Sequence, residues 1–588
     1  MGSNEGAGRY PITAQTKRQQ YELIRSQLEL DRSSFISHWQ AISRFISPRR
    51  ARFEVSDVNK GDRRNQSIID CTGTLALRTL QAGMMTGITP ASREWFRLTV
   101  KDLDLSEYGP VKDWLYEVTK RISTIFFKSN LYKVLPLTYG NMGNYGTAGV
   151  FLEPDLDKVV RFTTLPLGSF SVSNNHLMQV DTMTRTFMMT VRQIVEKFGY
   201  NRETNKIEWE NISTYVKNMW ETNNTENWIQ IAHIVKPNPE YDPRKLLSKY
   251  KKFISCYYES GLQLKGGSNY MSGPMIEPHK YLSEKGYDFF PGLFPRWELN
   301  GEDSYGTDCP GMVVLGDVRQ LQSTERRVAQ ALEKIINPPM KGPTSLRGTK
   351  ASLLPGGLTY TDTSNGGTPF SPAQQVDPRV LEVENKQSQV RARINEGYFV
   401  NLFQQMLRNE RDITATEAVL ADKERLTSLG PVLEQFNHDF LNPLIDNVFD
   451  IMVERGMIPE PPPELLGADL GVDYISIFAQ AQKLLNTGSI ERFTGFAQQV
   501  AGLNPAALQK VDTDQLLDVY AEMVGLAPGI VRSDDAVAAI RADIARQQQV
   551  QAQIQALQSM SETAKNLAQS PTDGNNALTS LTGQGGGA

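Results

Sequence analysis

The tightest constraint on how this chain folds is an apolar seam near its middle. Between Met312 and Asn337, the residues Val314, Val318, Leu321, Glu325, Val328, Leu332 and Ile335 recur at intervals of 4, 3, 4, 3, 4 and 3, an average of 3.5. That is the period of a helix lying against a neighbour at a shallow angle over several turns. At ~1.5 Å per residue the 26-residue segment reaches on the order of 40 Å. Its charges, Asp317, Arg319, Glu325, Arg326, Arg327, Glu333 and Lys334, have no opposite charge three or four positions away, so their neutralising groups lie on other elements. Two arrangements satisfy the pattern: a buried helix whose charges meet water at the surface, or a helix flanked by copies of itself and pairing sideways between subunits.

Such a helix needs a body, and 588 residues supply several domains' worth of chain. Hydrophobic residues at 40%, charged residues at 22% and a mean hydropathy of -0.39 describe an ordinary globular protein. No apolar run approaches the ~18 residues of a membrane-spanning helix. The start, MGSNEGAGRY, has no apolar stretch for a signal peptide, and Gly6 stands where a myristoylation signal has Ser or Thr, so no membrane contact is expected. Cys71, Cys256 and Cys309 form no CxxC pair, which argues against a disulfide framework or thiolate metal site and fits a reducing cytosol. The sequons at Asn65, Asn211 and Asn223 are then chance matches. A net charge of -4 excludes a polycationic wrapper of nucleic acid, so any DNA contact must be local.

Enzyme signatures are missing from the sequence. His38, His176, His233, His279 and His438 are too far apart in sequence for a short-range ligand pair, and no GxSxG elbow occurs. The nearest approach to a phosphate loop runs from Gly342 to Lys350, but Thr349 separates Gly348 from the lysine and Pro343 deletes a donor. No cofactor and no metal are expected.

Along the chain, helical periodicity covers about Thr13–Ile46, Ser67–Ile88 and Pro110–Lys128, followed by strand-like runs between Gly146 and Met189 and a short helix from Thr190 to Phe198. From Trp228 to Leu299 alternation predicts a β-rich module, with Phe253, Ser255 and Tyr257 opposite Ile254, Cys256 and Tyr258. Between its two strands lie Arg244, Lys245, Lys249, Lys251 and Lys252, five cations in nine residues, which read either as a solvated loop or as a contact for a polyanion or acidic partner. After the long helix, Lys341 to Pro372 holds six Gly, four Pro, the cations Lys341, Arg347 and Lys350, and one acid, Asp362. A loop of that length is functional or disordered. Helicity resumes from Pro378 to Asn409, where Gly397 points to a kink or close packing. Thr414–Glu417 has the pattern of a capping box. Ser533 to Ala568 is helical with an apolar stripe suited to helix-on-helix association, and Gln569–Ala588 is a Gly/Ser/Asn-rich tail. The fold class is α+β, mainly α.

Several strings together resemble the portal, or head-to-tail connector, proteins of short-tailed bacteriophages. The most specific is Leu80–Leu98, LQAGMMTGITPASREWFRL, which is similar to that family's helix, turn and Trp-Phe-Arg-Leu strand. Gly143–Ala148, Leu165–Phe170, Asp181–Arg185 and Thr190–Gly199 also match, as do Arg296-Trp297, Gly301-Glu302 and Tyr305-Gly306 in order before the long helix. After Tyr305-Gly306, where the family often has a basic residue, this chain has Thr307-Asp308-Cys309-Pro310, and residues beyond about 460 carry no matching motif.

The resemblance implies an elongated subunit of wing, stem, clip and crown in a closed ring, typically of twelve copies, with a central channel at one capsid vertex. Its division of the chain would be a wing region over 1–200, a β-rich clip with a first stem segment over 201–310, the stem helix at 311–340, a tunnel loop at 341–375, wing and crown helices at 376–510, and a crown or barrel helix with its tail at 511–588. Double-stranded DNA would pass non-specifically, touched at Lys341, Arg347, Lys350 and Lys334. Arg319, Glu325, Arg326, Arg327 and Glu333 would pair between subunits, and Arg244, Lys245, Lys249, Lys251 and Lys252 would meet a partner or DNA at the clip. The implied partners are the terminase large subunit, the tail adaptor, the scaffold or internal core and the major capsid protein; the implied place is the virion, after assembly in the host cytoplasm. The competing readings are a scaffold or minor capsid protein without a channel, and a packaging ATPase, which would need the missing phosphate loop.

Overall fold

The computed structural model describes residues 17–53, 63–102, 105, 108–201, 203–245, 247–261, 280–342, 371–372, 380–408, 429–465, 467, 470–475, 493–499, 515–517 and 534–568. They fall into two compact units. The larger holds 1–96, 119–459 and 474–481, and the smaller holds 97–118, 460–473 and 482–588.

Two antiparallel sheets organise the larger unit. The five-stranded sheet runs in the order Ser283–Tyr287, Phe253–Gly261, Trp228–Pro237, Val180–Thr190, Phe170–Asn174. Alternation assigns its faces as expected: Ala232, Ile234, Cys256 and Tyr258 pack against Tyr21 of the helix Lys17–Phe45, while Ile229, Ile231 and Tyr257 meet Val191, Ile194, Ile212 and Val216 on the other side. A division of the chain at residue 200 falls inside this sheet, because Met183–Thr190 is hydrogen-bonded along its length to Trp228–Val235. The second sheet joins Gly292–Leu293, Gly149–Asp155 and Val159–Leu165.

A polar cluster is buried in the five-stranded sheet. Arg185 Nε donates to His233 Nδ1 at 3.0 Å and its Nη2 donates to the Tyr257 hydroxyl at 2.9 Å, which in turn donates to Glu153 at 3.1 Å. Lys197 pairs with Glu153 at 3.2 Å. Burial, reinforced by the Arg185 and Lys197 charges, holds the His233 pKa well below its ordinary value, so the ring is neutral.

Helices Thr72–Ile88 and Leu131–Tyr145 pack side by side, the second also against the strands Gly149–Asp155 and Val159–Leu165. The turn that ends the second helix gathers strings that lie far apart in sequence. Gly146 adopts φ +81°, and its N–H donates to the Met142 carbonyl. Its own carbonyl accepts from Trp297 N–H at 2.8 Å, and Thr147 Oγ1 accepts from Gly306 N–H at 2.8 Å. A Cβ on Gly146 would stand 2.3 Å from the Gly306 carbonyl oxygen, and one on Gly306 2.1 Å from the Gly146 carbonyl oxygen, so both backbone segments must be bare there. Arg296, 1% exposed, is held beside this turn by Asp439, with Nε–Oδ2 at 2.8 Å and Nη2–Oδ1 at 3.0 Å, by Asn174 Oδ1 at 3.2 Å and by the Met178 carbonyl at 2.9 Å. The bidentate fork satisfies a guanidinium that burial would otherwise penalise.

Arg97–Val100 and Leu470–Asp473 of the smaller unit belong to the paired strands Phe96–Val100 and Leu470–Tyr474. The helix Asp534–Ala568 carries exposed Ile540, Ile544, Val550, Ile554 and Leu557, the apolar stripe expected from the sequence. The capping-box segment Thr414–Glu417 and the tail from Gln569 lie outside the described residues.

Candidate channel-wall helix and its anchorage

The long helix is reached through a tight entry. Asp308 takes φ +51°, and Cys309 and Pro310 open the short turn Pro310–Val313, with Pro at the first helical position where no N–H is missed. Cys309 is buried, and burial pushes its thiol up to about 12.

The helix itself spans Leu315–Ile336. Its seam divides in two. Val314, Val318 and Leu321 are buried against the body, whereas Val328 is half-buried and Leu332, Ile335 and Ile336 are 41%, 43% and 83% exposed. The proximal half is fastened at three levels. Gln322 Oε1 accepts from the N–H groups of Ile69 at 2.6 Å and Asp70 at 2.9 Å, and its Nε2 donates to the Asp70 carbonyl at 2.7 Å. Arg391 bridges Asp70 at 2.9 Å and Glu325 at 2.5 Å, and Arg393 grips Asp317 at 2.6 Å. Both arginines sit on the helix Val380–Gly397, which runs antiparallel to the long one, as the order of these pairs along the two helices shows. At the end of that helix a Cβ on Gly397 would lie 2.4 Å from Val314 Cγ1. The close packing expected at Gly397 is present, and a break follows at Phe399, φ +57°, before the helix Val400–Arg408.

Asp70 is the hub of this anchorage. Burial opposes its charge, but hydrogen bonds from Thr72 and the Arg391 guanidinium outweigh burial and lower its pKa. Asp70, Gln322, Arg391 and Arg393 carried no local signal in the sequence, because each acts across a long loop.

The expected site residues are distributed unevenly. Glu325, expected to pair between subunits, takes its partner Arg391 within the chain, because the helix Val380–Gly397 folds back alongside. Arg319 lies over the Phe45 ring at 5.6 Å. Arg326, Arg327, Glu333 and Lys334 are exposed and form no ion pair among the described residues. Lys341 is exposed at the base of the breaker-rich loop, where Met340–Lys341 pairs antiparallel with Ser371–Pro372. Arg347 and Lys350 lie outside the described residues.

The basic run between strands Trp228–Pro237 and Phe253–Gly261 is largely neutralised at home. Lys245 pairs with Asp242 at 3.2 Å, Lys249 with Glu240 at 3.3 Å, and Lys251 with Asp288 at 2.8 Å and Glu454 at 3.2 Å. Arg244 and Lys252 are exposed, and Lys252 reaches over the Phe253 ring. Among the described residues no group of three His, Cys, Asp or Glu could hold a metal ion, and no helix is long and apolar enough to cross a membrane.

Residues 18–531 match the family described as bacteriophage head to tail connecting protein. The chain belongs to this family. It is also 42% identical over 574 residues to the portal protein of Salmonella phage epsilon15, covering 97% of this chain and 99% of that one. With the probable portal protein of Bordetella phage BPP-1 it shares 38% identity over 562 residues, 95% and 96% of the two chains. As a member of the connector family the chain is a viral portal, a structural component of the virion and not an enzyme. Three of the strings that carried the resemblance, Gly143–Ala148, Arg296-Trp297 and Tyr305-Gly306, are brought together by the fold at the turn beside the long helix.

Proposed function

We propose that the chain closes into a ring, twelve-membered as the resemblance implies, with the long helix as stem of a channel for double-stranded DNA during packaging and ejection. The observation that carries this reading is the divided seam. The proximal half is fastened to its own subunit, while the distal half presents Leu332, Ile335 and Ile336 beside Arg326, Arg327, Glu333 and Lys334, which form no ion pair among the described residues. A projecting apolar strip gains stability when covered, and a copy related by rotation covers it at the shallow angle its period favours.

In that ring Lys334 and Lys341, with Arg347 and Lys350 of the following tunnel loop, touch DNA phosphates transiently and read no bases. Few cations face the duplex, and that suits passage: each neutralised phosphate adds salt-dependent affinity that would brake the DNA. Arg319, Arg326, Arg327 and Glu333 pair between neighbouring subunits. Arg244 and Lys252 are the cations of the basic loop left for a clip partner, the terminase large subunit and later the tail adaptor. The ring occupies one capsid vertex beside the major capsid protein and the scaffold or internal core, after assembly in the host cytoplasm. Native mass spectrometry with negative-stain imaging of the purified chain tests the proposal. Closed rings with a central hole are expected; a monomer or open lattice under assembly conditions would favour a scaffold or minor capsid protein instead.

A further inference from the structure

The long helix has a second face, opposite its seam. Arg319, Ser323, Arg326, Arg327 and Gln330 lie on it at helical spacing, and all are exposed. Arg44, exposed near the end of the helix Lys17–Phe45, extends it: the guanidinium carbons of Arg44 and Arg319 each stand 5.6 Å from the centre of the Phe45 ring. From Arg319 to Arg327 the cations span eight residues, ~12 Å of helix. The complementary charge lies on the helix Asn442–Glu454. Asp446, Asp450 and Glu454 recur there every four residues, an equal span, and are exposed, with Val453 55% exposed beside them. Asp288 adds a fourth acid, which Lys251 bridges to Glu454 at 2.8 and 3.2 Å. Among the described residues that lysine makes the only ion pairs of the four acids, and like charges four apart on a helix repel. Partial burial, and then the acids beside them, raise the pKa values of Asp446 and Asp450.

Two helices stand between the elements that carry these faces. A Cβ on Gly73 of the helix Thr72–Ile88 would lie 3.2 Å from Val318 of the long helix. Gln81 of the same helix donates to the Pro136 carbonyl of Leu131–Tyr145 at 2.8 Å, and the Tyr139 ring there meets that of Phe436, ahead of Asn442–Glu454, at 5.1 Å. Opposite charges on separate faces of one body attract head to tail, which is how copies around a rotation axis meet. We propose that the cationic face of the long helix docks on the acid row of Asn442–Glu454 in the next copy, with Arg319, Arg326 and Arg327 meeting Asp446 and Asp450. The inference rests on the ring proposed above and adds the partner residues to it. Guanidinium forks suit carboxylates, and the contact answers both charge rows at once. Duplex DNA, the alternative occupant of the arginine face, would leave the acid row uncovered.

The test uses the full-length chain and two charge-reversed variants, R326E/R327E and D446K/D450K, whose altered side chains are exposed. Each variant alone sets like charges against each other at the joint, so its yield of rings in native mass spectrometry should fall about tenfold. Mixed in equal amounts, the two should close rings again with both chains in equal number, because each reversed face then meets its complement. If the lysines unfold the helix, D446N/D450N takes their place, and its ring yield should fall as well. Sedimentation of the mixture at low salt reads the pairing without ring closure. Association beyond that of either variant alone, with no rings from the parent chain, would count against the ring and uphold the two faces. Rings from the parent with undiminished yield from both variants, or a mixture that associates no better than its components, overturns the proposal; the first of these leaves the ring standing. R326E/R327E rings in normal yield that have lost affinity for duplex DNA overturn it too, and give the arginine face to DNA.

Discussion

Gly397→Ala sets two effects of known size against each other at the joint between the long helices. Ala is better than Gly in a helix interior by about 1 kcal/mol, and Gly397 ends its helix, so the gain is at most that. Against it stands the new methyl group, 2.4 Å from Val314 Cγ1. Val314 is 2% exposed and β-branched, so no long side chain can swing away to make room. Overpacking of this kind costs about 1–3 kcal/mol. The clash therefore wins, and G397A should be less stable by on the order of 1 kcal/mol. V314A removes the methyl that collides, so the double variant G397A/V314A should be more stable than the sum of the two single changes by roughly 1–2 kcal/mol. Urea unfolding of all four proteins, followed by circular dichroism, measures the cycle. Additive changes, or a G397A protein as stable as its parent, would refute the packing argument at this joint.

Asp439→Ala strips buried Arg296 of both its carboxylate bonds, and should cost about 3–5 kcal/mol. The pair R296M/D439L, which buries no charge, should recover most of that; a D439A loss below about 1 kcal/mol in chemical unfolding contradicts the buried pair. Acid should weaken the sheet in two stages. The folded pKa of His233 is depressed, so the unfolded chain takes up its proton first, and stability falls as pH drops below about 6.5. Glu153 is half-buried, which opposes its charge, but Lys197 and Arg185 lower its pKa, so its contribution is present above about 4.5 and is lost as pH falls through the folded value. Melting temperature against pH for the parent and H233Q checks the first stage: the variant's curve should be flatter between about pH 6.5 and 5, and identical slopes would exclude His233 as its source.

Legibility followed the periodicity. The faces of the strand Phe253–Gly261 could be read because each face is buried against a different helix layer, so alternation survives. The helix Leu131–Tyr145 was not anticipated. It contains Pro136, Gly140 and Gly143, and eleven of its fifteen residues are buried, so no polar face marks a period of 3.6. Packing against Thr72–Ile88 overrides those breakers. Strand pairing was hidden for a related reason: the partnership of Val180–Thr190 with Trp228–Pro237 spans the short helices in between, and hydrogen-bonded register leaves no compositional trace.

Sequence alone determined the long amphipathic helix, the sheet faces, the lack of catalytic motifs and, through short strings, the kinship with phage connectors. A periodic pattern reports which side of an element avoids water, and that requires only neighbours in the chain. Tertiary structure decided what covers each side. It gave Glu325 to Arg391, which lies 66 positions away, joined Arg296 to Asp439 across 143 positions, and divided one uniform seam into a fastened half and an open half. Those outcomes depend on which helix folds back alongside, and charge pairing between distant residues leaves no periodic signature that local spacing could reveal.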